Sequence, residues 1–129
     1  MNLLLDTHIW VWSRLDPDRL TQRVGDALKD RANQLWLSPI SIWETMLLIE
    51  RGRLQVMGAP AAWIRNALAT GPIRDAPLTR DVAIESRAIE LAGQDPADRF
   101  IAASAVVHEL TLVTADKRLS ASKQLSVLV

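Results

Sequence analysis

Residues 3–10 read LLLDTHIW, an apolar run that stops at a carboxylate, Asp6. Consecutive leucines are typical of a short strand buried on both faces of a parallel sheet. The segment that follows, from about residue 7 to residue 15, has a helical pattern. A strand that leads directly into a helix predicts an α/β fold, and it places Asp6 at the carboxyl end of the sheet.

The composition predicts one globular domain, residues 1–129, without a membrane-spanning segment. Hydrophobic residues make up 49% of the chain, and the longest apolar runs are far shorter than a bilayer crossing. No cysteine is present, which excludes disulfides and thiolate metal sites and favours a cytoplasmic location. Because 15 basic residues balance 15 acidic ones, any nucleic-acid binding must depend on a local arginine cluster.

Further strand-like and helix-like segments alternate along the chain. Strands are predicted in QLWLS, IRDAPL, TLVTAD and LSVLV, and helices are predicted to begin near residues 21, 39, 60, 79 and 96. This alternation favours a parallel five-stranded sheet with helices on both faces. Ligands of such sheets bind beyond the carboxyl ends of the strands, so Asp6 and Asp116, which follow the first and fourth strands, are expected at one edge.

Two acids each have a structural alternative to a functional role. Asp6 fits the N-cap of the first helix, although Thr7 could cap that helix and leave Asp6 free. Glu44 matches a capping box with Ser41, but the Ser-Pro step at residues 38–39 is the better helix start. Glu44 then lies inside the helix and interrupts an apolar face, where a buried carboxylate needs a partner or a metal.

Three later acids are open to two interpretations in the same way. Asp95 fits an N-cap, Asp98 lies in the first turn of the same helix, and Asp116 fits a turn or a paired surface acid. Asp98 also shares a helix face with small residues suited to packing on the sheet. Carboxylates converging on one edge would raise one another's pKa values unless a hard cation such as Mg²⁺ bound among them. Such a site suits phosphodiester hydrolysis by a metal-activated water.

Four motifs in this order resemble the PIN-domain nucleases, and within them the VapC-type toxins of bacterial toxin–antitoxin pairs. The motifs are LLLDTH at 3–8, SIWE at 41–44, DPADRFIAASA at 95–105 and LTLVTAD at 110–116. The resemblance implies an α/β/α sandwich around a parallel five-stranded sheet. It also implies an endoribonuclease that uses Mg²⁺ or Mn²⁺, with RNA as substrate, a VapB-like cognate antitoxin as partner, and homodimers that assemble further with that antitoxin.

The resemblance also assigns roles to individual residues. The acidic cluster, which would bind metal and catalyse the reaction, falls on Asp6, Glu44, Asp98 and Asp116. The supporting candidates are Asp95, Thr7, Thr114 and Arg99, of which Thr114 could hold a metal-bound water and Arg99 could bind phosphate or form a salt bridge. Two positions depart from the family pattern: Ala97 replaces a frequent aromatic residue, and Ala115 replaces a frequent arginine near the site.

The tryptophans include the candidates for partner binding. Trp36 and Trp43 have core-like surroundings in the sequence. Trp10 and Trp12 are two residues apart on one short helix and cannot share a face, so one of them is expected to be less buried. An exposed ring could stack on an RNA base or anchor a partner, and the resemblance favours the antitoxin.

The remaining candidates have structural interpretations. His8 is interpreted as a helix-surface or hydrogen-bonding residue and His108 as a structural one. The apolar helix PAAWIRNALAT, residues 60–70, offers a surface for a homodimer.

Two other functions fit part of the pattern. Receiver domains and aspartyl phosphatases also place aspartates at strand ends, but DTH lacks the second acid of a phosphatase and no lysine follows a late strand as a receiver requires. A non-catalytic PIN-fold binding module is the other alternative. The complete set of acids disfavours it, because clustered charges without a metal would gain such a module nothing.

Overall fold

The computed structural model describes residues 1–129 and is built on a five-stranded parallel sheet. The strands are β1 (Asn2–Leu5), β2 (Gln34–Leu37), β3 (Arg74–Asp75), β4 (Thr111–Val113) and β5 (Val127–Leu128). Their order is β3-β2-β1-β4-β5, and every pairing is parallel. The predicted parallel sheet is confirmed. The order differs from the 2-1-3-4-5 order of receiver domains, which removes receiver domains from the alternatives.

Seven α-helices and one 3₁₀ turn surround the sheet. The helices are α1 (Thr7–Leu15), α2 (Gln22–Lys29), α3 (Pro39–Glu50), α4 (Pro60–Ala69), α5 (Arg80–Ala88), α6 (Pro96–Val107) and α7 (Lys117–Ser120), and the 3₁₀ turn spans Pro17–Arg19. The short α7 and the 3₁₀ turn were not expected from the sequence. α5 ends at Ala88, where Ile89 turns to extended backbone.

The central strand β1 divides the core between two faces. Leu3 and Leu5 pack into one apolar cluster with residues of α1, α2 and α4, whereas Leu4 packs into a second cluster with residues of α6. This alternation follows from the pleat of a strand. The small-residue face of α6, including Ala102 and Ala105, lies on the sheet as its pattern indicated. The fold is therefore the predicted α/β/α sandwich.

Polar side chains cap the first turn of every α-helix except α4, which begins after Ala59. Ser38 caps α3 by accepting a hydrogen bond from the Ile40 amide, with Pro39 as the first helical residue, so the capping box of Ser41 and Glu44 does not form. Thr21 and Thr79 cap α2 and α5 in the same way.

None of the helices combines the length and apolar character that a membrane crossing requires.

Candidate active site

Asp6 is held rigidly at the junction of β1 and α1. It is the N-cap of α1, and its Oδ1 accepts from the Thr7 amide at 2.8 Å. Its Oδ2 accepts from the Thr114 hydroxyl at 2.7 Å. Asp6 is therefore a cap and a site residue at once, and the expectation that Thr7 could replace it as the cap is wrong. Burial raises the pKa of Asp6, and these hydrogen bonds offset part of that rise.

Thr7 and Thr114 orient their neighbours through buried hydroxyls. Thr7 is the first residue of α1, and its hydroxyl donates to Ser41 Oγ at 2.9 Å, which ties α1 to α3. Thr114 gives its hydroxyl proton to Asp6 and accepts from the Asp116 amide at 3.0 Å. That bonding fixes two of the acids relative to each other, so the structure assigns Thr114 to orienting carboxylates.

Glu44 lies inside α3 and is half-buried. Burial raises its pKa, and the negative charge of Asp6 adds to that rise. The sequence interpretation of Glu44 as a carboxylate within an apolar helix is confirmed. Its side chain reaches the same cavity as Asp6 because α1 and α3 are held side by side.

The start of α6 supplies two more acids. Asp95 is the N-cap, and its Oδ1 accepts from the Asp98 amide at 3.2 Å. Asp98 lies one turn further along, where burial, followed by the charges of Asp95 and the other acids, raises its pKa to about 7. A carboxyl group with this pKa is half-protonated near neutrality, because burial disfavours its charged form and the surrounding negative charge is not fully compensated.

All five acids line one cavity of about 360 Å³ beyond the carboxyl ends of the strands. Its lining residues are Asp6, His8, Trp12, Glu44, Asp95, Asp98, Ala115, Asp116 and Arg118. The structure thus brings together every acid that the sequence singled out. As they are placed in this structure, no three of the carboxylate and imidazole side chains could hold one metal ion together.

Asp116 is compensated by Arg118, a residue that was not among the predicted site residues. Asp116 caps the short α7, and its Oδ1 accepts from the Arg118 amide at 2.8 Å. The Arg118 guanidinium lies 3.0 Å from Asp116 Oδ2, and these hydrogen bonds lower the pKa of Asp116. Asp116 is the paired acid that one alternative proposed, although it also lines the cavity. The available signal was a basic residue two positions after a helix-capping aspartate.

Arg99 does not face the cavity. It is buried, and its guanidinium donates to the carbonyls of Ser86 and Ile89 at 2.7 Å each, which closes the C-terminal end of α5. The predictions that Arg99 binds phosphate or forms a salt bridge are both wrong. Its position on α6 places it one residue past Asp98, on the side that meets α5.

Arg99→Met is expected to reduce the free energy of unfolding by about 2–4 kcal/mol, since it leaves buried carbonyls without donors. Chemical denaturation followed by circular dichroism measures this difference. Arg87→Met, which changes an exposed arginine on α5, is the matched control and should alter stability by less than about 0.5 kcal/mol. Equal stability of the two variants would show that Arg99 does not close the helix.

The division of the tryptophans into buried and exposed side chains differs from the one that the sequence predicted. Trp10 is fully buried, with its ring edge against Trp63, so its prediction as a partner-binding residue is wrong. Trp12 is half-buried at the cavity wall, with the Arg19 guanidinium 4.5 Å from its ring centroid. Trp43 was expected in the core but is 51% exposed. The inward face of α3 carries Ser41 and Thr45, which turns Trp43 outward.

Three other aromatic or imidazole side chains behave as expected. Trp36 is half-buried and packs against the second core cluster. His8 is exposed on α1, with its ring 5.7 Å from that of Trp12, and it also lines the acidic cavity. His108 ends α6, and its Nε2 lies 2.8 Å from the Pro77 carbonyl oxygen, away from the cavity.

Comparison with known families agrees with this geometry. The PIN domain model matches residues 3–124. The chain belongs to the PIN-domain family. This PIN domain is 33% identical over 118 residues to Ribonuclease VapC22 of Mycobacterium tuberculosis, which covers 91% of the chain and 88% of that protein. The motif resemblance to the VapC-type members is therefore confirmed.

Solved structures share the fold of this PIN domain. The structure of VapBC2 from Rickettsia felis bound to a promoter DNA fragment superposes with a TM-score of 0.74 at 15% identity, covering 99% of this chain and 98% of that one. VapBC-5 of Mycobacterium tuberculosis, a member of the VapBC family of toxin–antitoxin systems, superposes with a TM-score of 0.61 at 15% identity, covering 98% and 95%. At these identities the likeness concerns the fold.

Proposed function

We propose that this PIN domain is a Mg²⁺-dependent endoribonuclease that acts as the toxin of a toxin–antitoxin pair. The observation that carries the proposal is the convergence of five carboxylates on one cavity at the carboxyl edge of the sheet. The relationship to Ribonuclease VapC22 supports the same reaction. Because the substrate is cellular RNA, the proposal places the reaction in the cytoplasm.

The chemistry of the donor set suits a hard divalent cation, and the carboxylates around the cavity would draw together to hold one. These carboxylates are the ligands that Mg²⁺ and Mn²⁺ prefer, and a bound cation would lower the pKa of Asp98, which burial and the neighbouring carboxylates raise. Asp6, Glu44, Asp98 and Asp116 would hold the ion. Asp95 would contribute negative charge while it caps α6. When bound, Mg²⁺ would supply a water of lowered pKa and positive charge for the phosphate.

Side chains around the cavity would orient the catalytic carboxylate and contact the RNA. Asp6 is held by two hydrogen bonds, so it keeps one orientation as substrate arrives. Trp12 and the exposed His8 lie at the cavity wall, where an unpaired base could stack on the indole. The site therefore suits single-stranded RNA, whose bases are free to turn out of a stack.

RNA cleavage in excess Mg²⁺ is expected to stop when EDTA is added and to resume when Mg²⁺ is restored. The purified domain and a labelled single-stranded RNA suffice for the measurement, with sequencing of the cleaved ends to define the site. Asp6→Asn should abolish cleavage, whereas Asp26→Asn, at an exposed acid of α2, should leave it unchanged. Undiminished cleavage in EDTA would contradict the proposal. A domain that folds and binds metal but cuts no RNA would favour the non-catalytic alternative.

A larger groove beside the acidic cavity suits the antitoxin. It has a volume of about 720 Å³ and shares Glu44 and Asp95 with the cavity region. Apolar side chains from α1 and α3 line it, including Trp12, Trp43 and Leu48. We place the C-terminal segment of a VapB-like antitoxin here, with apolar residues on the groove and a basic residue reaching the acids.

We also propose that the domain forms a homodimer. The dimer surface expected from the sequence, an apolar face of α4, differs from the face that the structure exposes. The large apolar residues of α4 do not form an open patch: Ile64 is buried and Trp63 is half-buried against Trp10. The exposed face of α4 instead carries alanines with Arg65 and Asn66. A dimer through α4 would therefore pack small side chains closely, and light scattering of an Ala62→Glu variant measures its contribution.

A further inference from the structure

Arg118 makes its contacts through the same carboxylate oxygens that a metal would use. Its Nη2 lies 3.0 Å from Asp116 Oδ2 and 3.4 Å from Asp98 Oδ2, and its Nε lies 3.3 Å from Asp116 Oδ1. Among the residues that line the acidic cavity, Arg118 is the single arginine or lysine. Its guanidinium therefore bridges two of the four proposed metal ligands.

We propose that Arg118 is the resident cation of this site, which Mg²⁺ or Mn²⁺ displaces and which then contacts a phosphate of the RNA. The inference rests on the proposed function, because it assumes that a metal uses Asp98 and Asp116. A carboxylate oxygen that binds a divalent cation closely cannot keep a guanidinium at hydrogen-bond distance on the same side without strong repulsion between the two positive charges. Metal binding and the Arg118 bridge are thus competing states of one cluster.

The surroundings of Arg118 leave it room to move. Its side chain is 55% exposed. Arg118 also borders a second cavity of about 600 Å³, which Gln94, Lys123 and Gln124 line as well. A guanidinium displaced from the acids can turn toward this cavity and remain beside the metal site. RNA phosphates that flank the cleaved bond would meet Arg118 and Lys123 there.

Gly93 allows the Arg118 guanidinium to lie close to the backbone. A Cβ at this position would lie 3.2 Å from Arg118 Nη1, and the residue has a φ of +96°. Both features favour glycine at this position. The loop before α6 therefore has a conformation that accommodates Arg118 against Asp98.

Lys117 provides a matched control for the charge of Arg118. It is the adjacent residue on α7, it is exposed, and it makes no ion pair. Replacing either residue by methionine removes one positive charge from the same helix. A difference between the two variants therefore reports the bridge to Asp98 and Asp116, since the change in net charge is equal.

Mn²⁺ binding to the purified domain, measured by isothermal titration calorimetry, tests the competition directly. Arg118→Met is expected to bind Mn²⁺ about three- to tenfold more tightly than the wild type, since the competing charge is gone. Lys117→Met should stay within about twofold of the wild type, because Lys117 makes no ion pair with the acids and lines a different cavity. For RNA cleavage, Arg118→Met should raise KM at least about fivefold with a smaller change in kcat, since it removes a phosphate contact.

The outcomes separate this inference from the proposed function. If the wild type binds Mn²⁺ but Arg118→Met binds it no more tightly, the competition is overturned and the metal site stands. If Mn²⁺ affinity rises while KM is unchanged, transfer of Arg118 to phosphate is overturned. If no form of the domain binds Mn²⁺, the proposed function itself fails.

A measurement on the wild-type protein covers the case in which Arg118→Met does not fold. The Nε–H resonance of Arg118 should shift during an Mg²⁺ titration followed by NMR, because its hydrogen bond to Asp116 is lost or weakened. The Nε–H resonance of the buried Arg99, which is bound to backbone carbonyls, serves as the internal control and should stay in place. An unmoved Arg118 resonance at saturating Mg²⁺ would overturn the inference.

Discussion

Asp98→Asn is expected to reduce RNA cleavage by about 10³-fold, because a lost metal ligand removes several kcal/mol of transition-state stabilisation. The same substitution is expected to stabilise the metal-free protein at neutral pH. Asp98 is surrounded by other carboxylates, and burial together with their charges raises its pKa to about 7. An asparagine keeps the shape of the side chain without this charge. Activity and stability should therefore change in opposite directions.

The pH dependence of this stabilisation follows from the direction of the pKa shift. The pKa of Asp98 is about 7 in the folded protein, against an ordinary value of 3.8 for an aspartate. The folded state therefore holds the proton more tightly, so the wild type loses stability as pH rises from about 4 to about 7. The advantage of Asp98→Asn should be near zero at pH 4 and reach roughly 1–3 kcal/mol above pH 7, after allowance for partial solvent screening.

Thermal unfolding in EDTA across this pH range measures the effect. Asp81→Asn is the matched control, since Asp81 occupies the first turn of α5 as Asp98 occupies that of α6, but lies outside the cavity. Its stability relative to the wild type should not rise with pH. A lower melting temperature of Asp98→Asn at every pH would show that Asp98 serves the helix dipole and would remove it from the proposed metal site.

Production of this domain alone is expected to arrest growth, and production of the small protein encoded beside it is expected to restore growth. The reason lies in the groove that shares Glu44 and Asp95 with the acidic region. An arginine in the partner's tail could reach Asp6, Glu44, Asp98 and Asp116. Its guanidinium would form charge-assisted hydrogen bonds with the carboxylates and oppose metal binding there.

The groove and the arginine can be tested separately. Trp43→Ser should weaken the complex about tenfold, because the indole is 51% exposed and lines the groove. Met57→Ser, which changes an 89% exposed residue outside the groove, is the matched control. Replacing the partner's arginine with alanine should weaken inhibition of RNA cleavage while the complex still forms. Full inhibition without that arginine would instead indicate that the partner covers the RNA-binding surface.

The order of strands and helices and the edge where the acids gather were predictable because they depend on local signals. The buried strand is marked by the three leucines before Asp6. Two helix starts are marked, to within a few residues, by a polar capping residue followed by proline, at residues 38–39 and 95–96. Parallel strands then bring their carboxyl ends to one edge, so the acids meet there without further information.

Side-chain partners across the sandwich required the tertiary structure. Arg99 could be assigned neither to phosphate nor to a salt bridge, because its partners are carbonyls at the end of a different helix. Trp43 lies outward since polar Ser41 and Thr45 occupy the inward face of α3, which reverses the usual hydrophobic pattern. The guanidinium of Arg118 donates to Asp98, which lies 20 residues earlier in the chain, so local sequence could not indicate this pair. Local propensity sets where elements begin and end, whereas burial and charge pairing depend on which elements pack together.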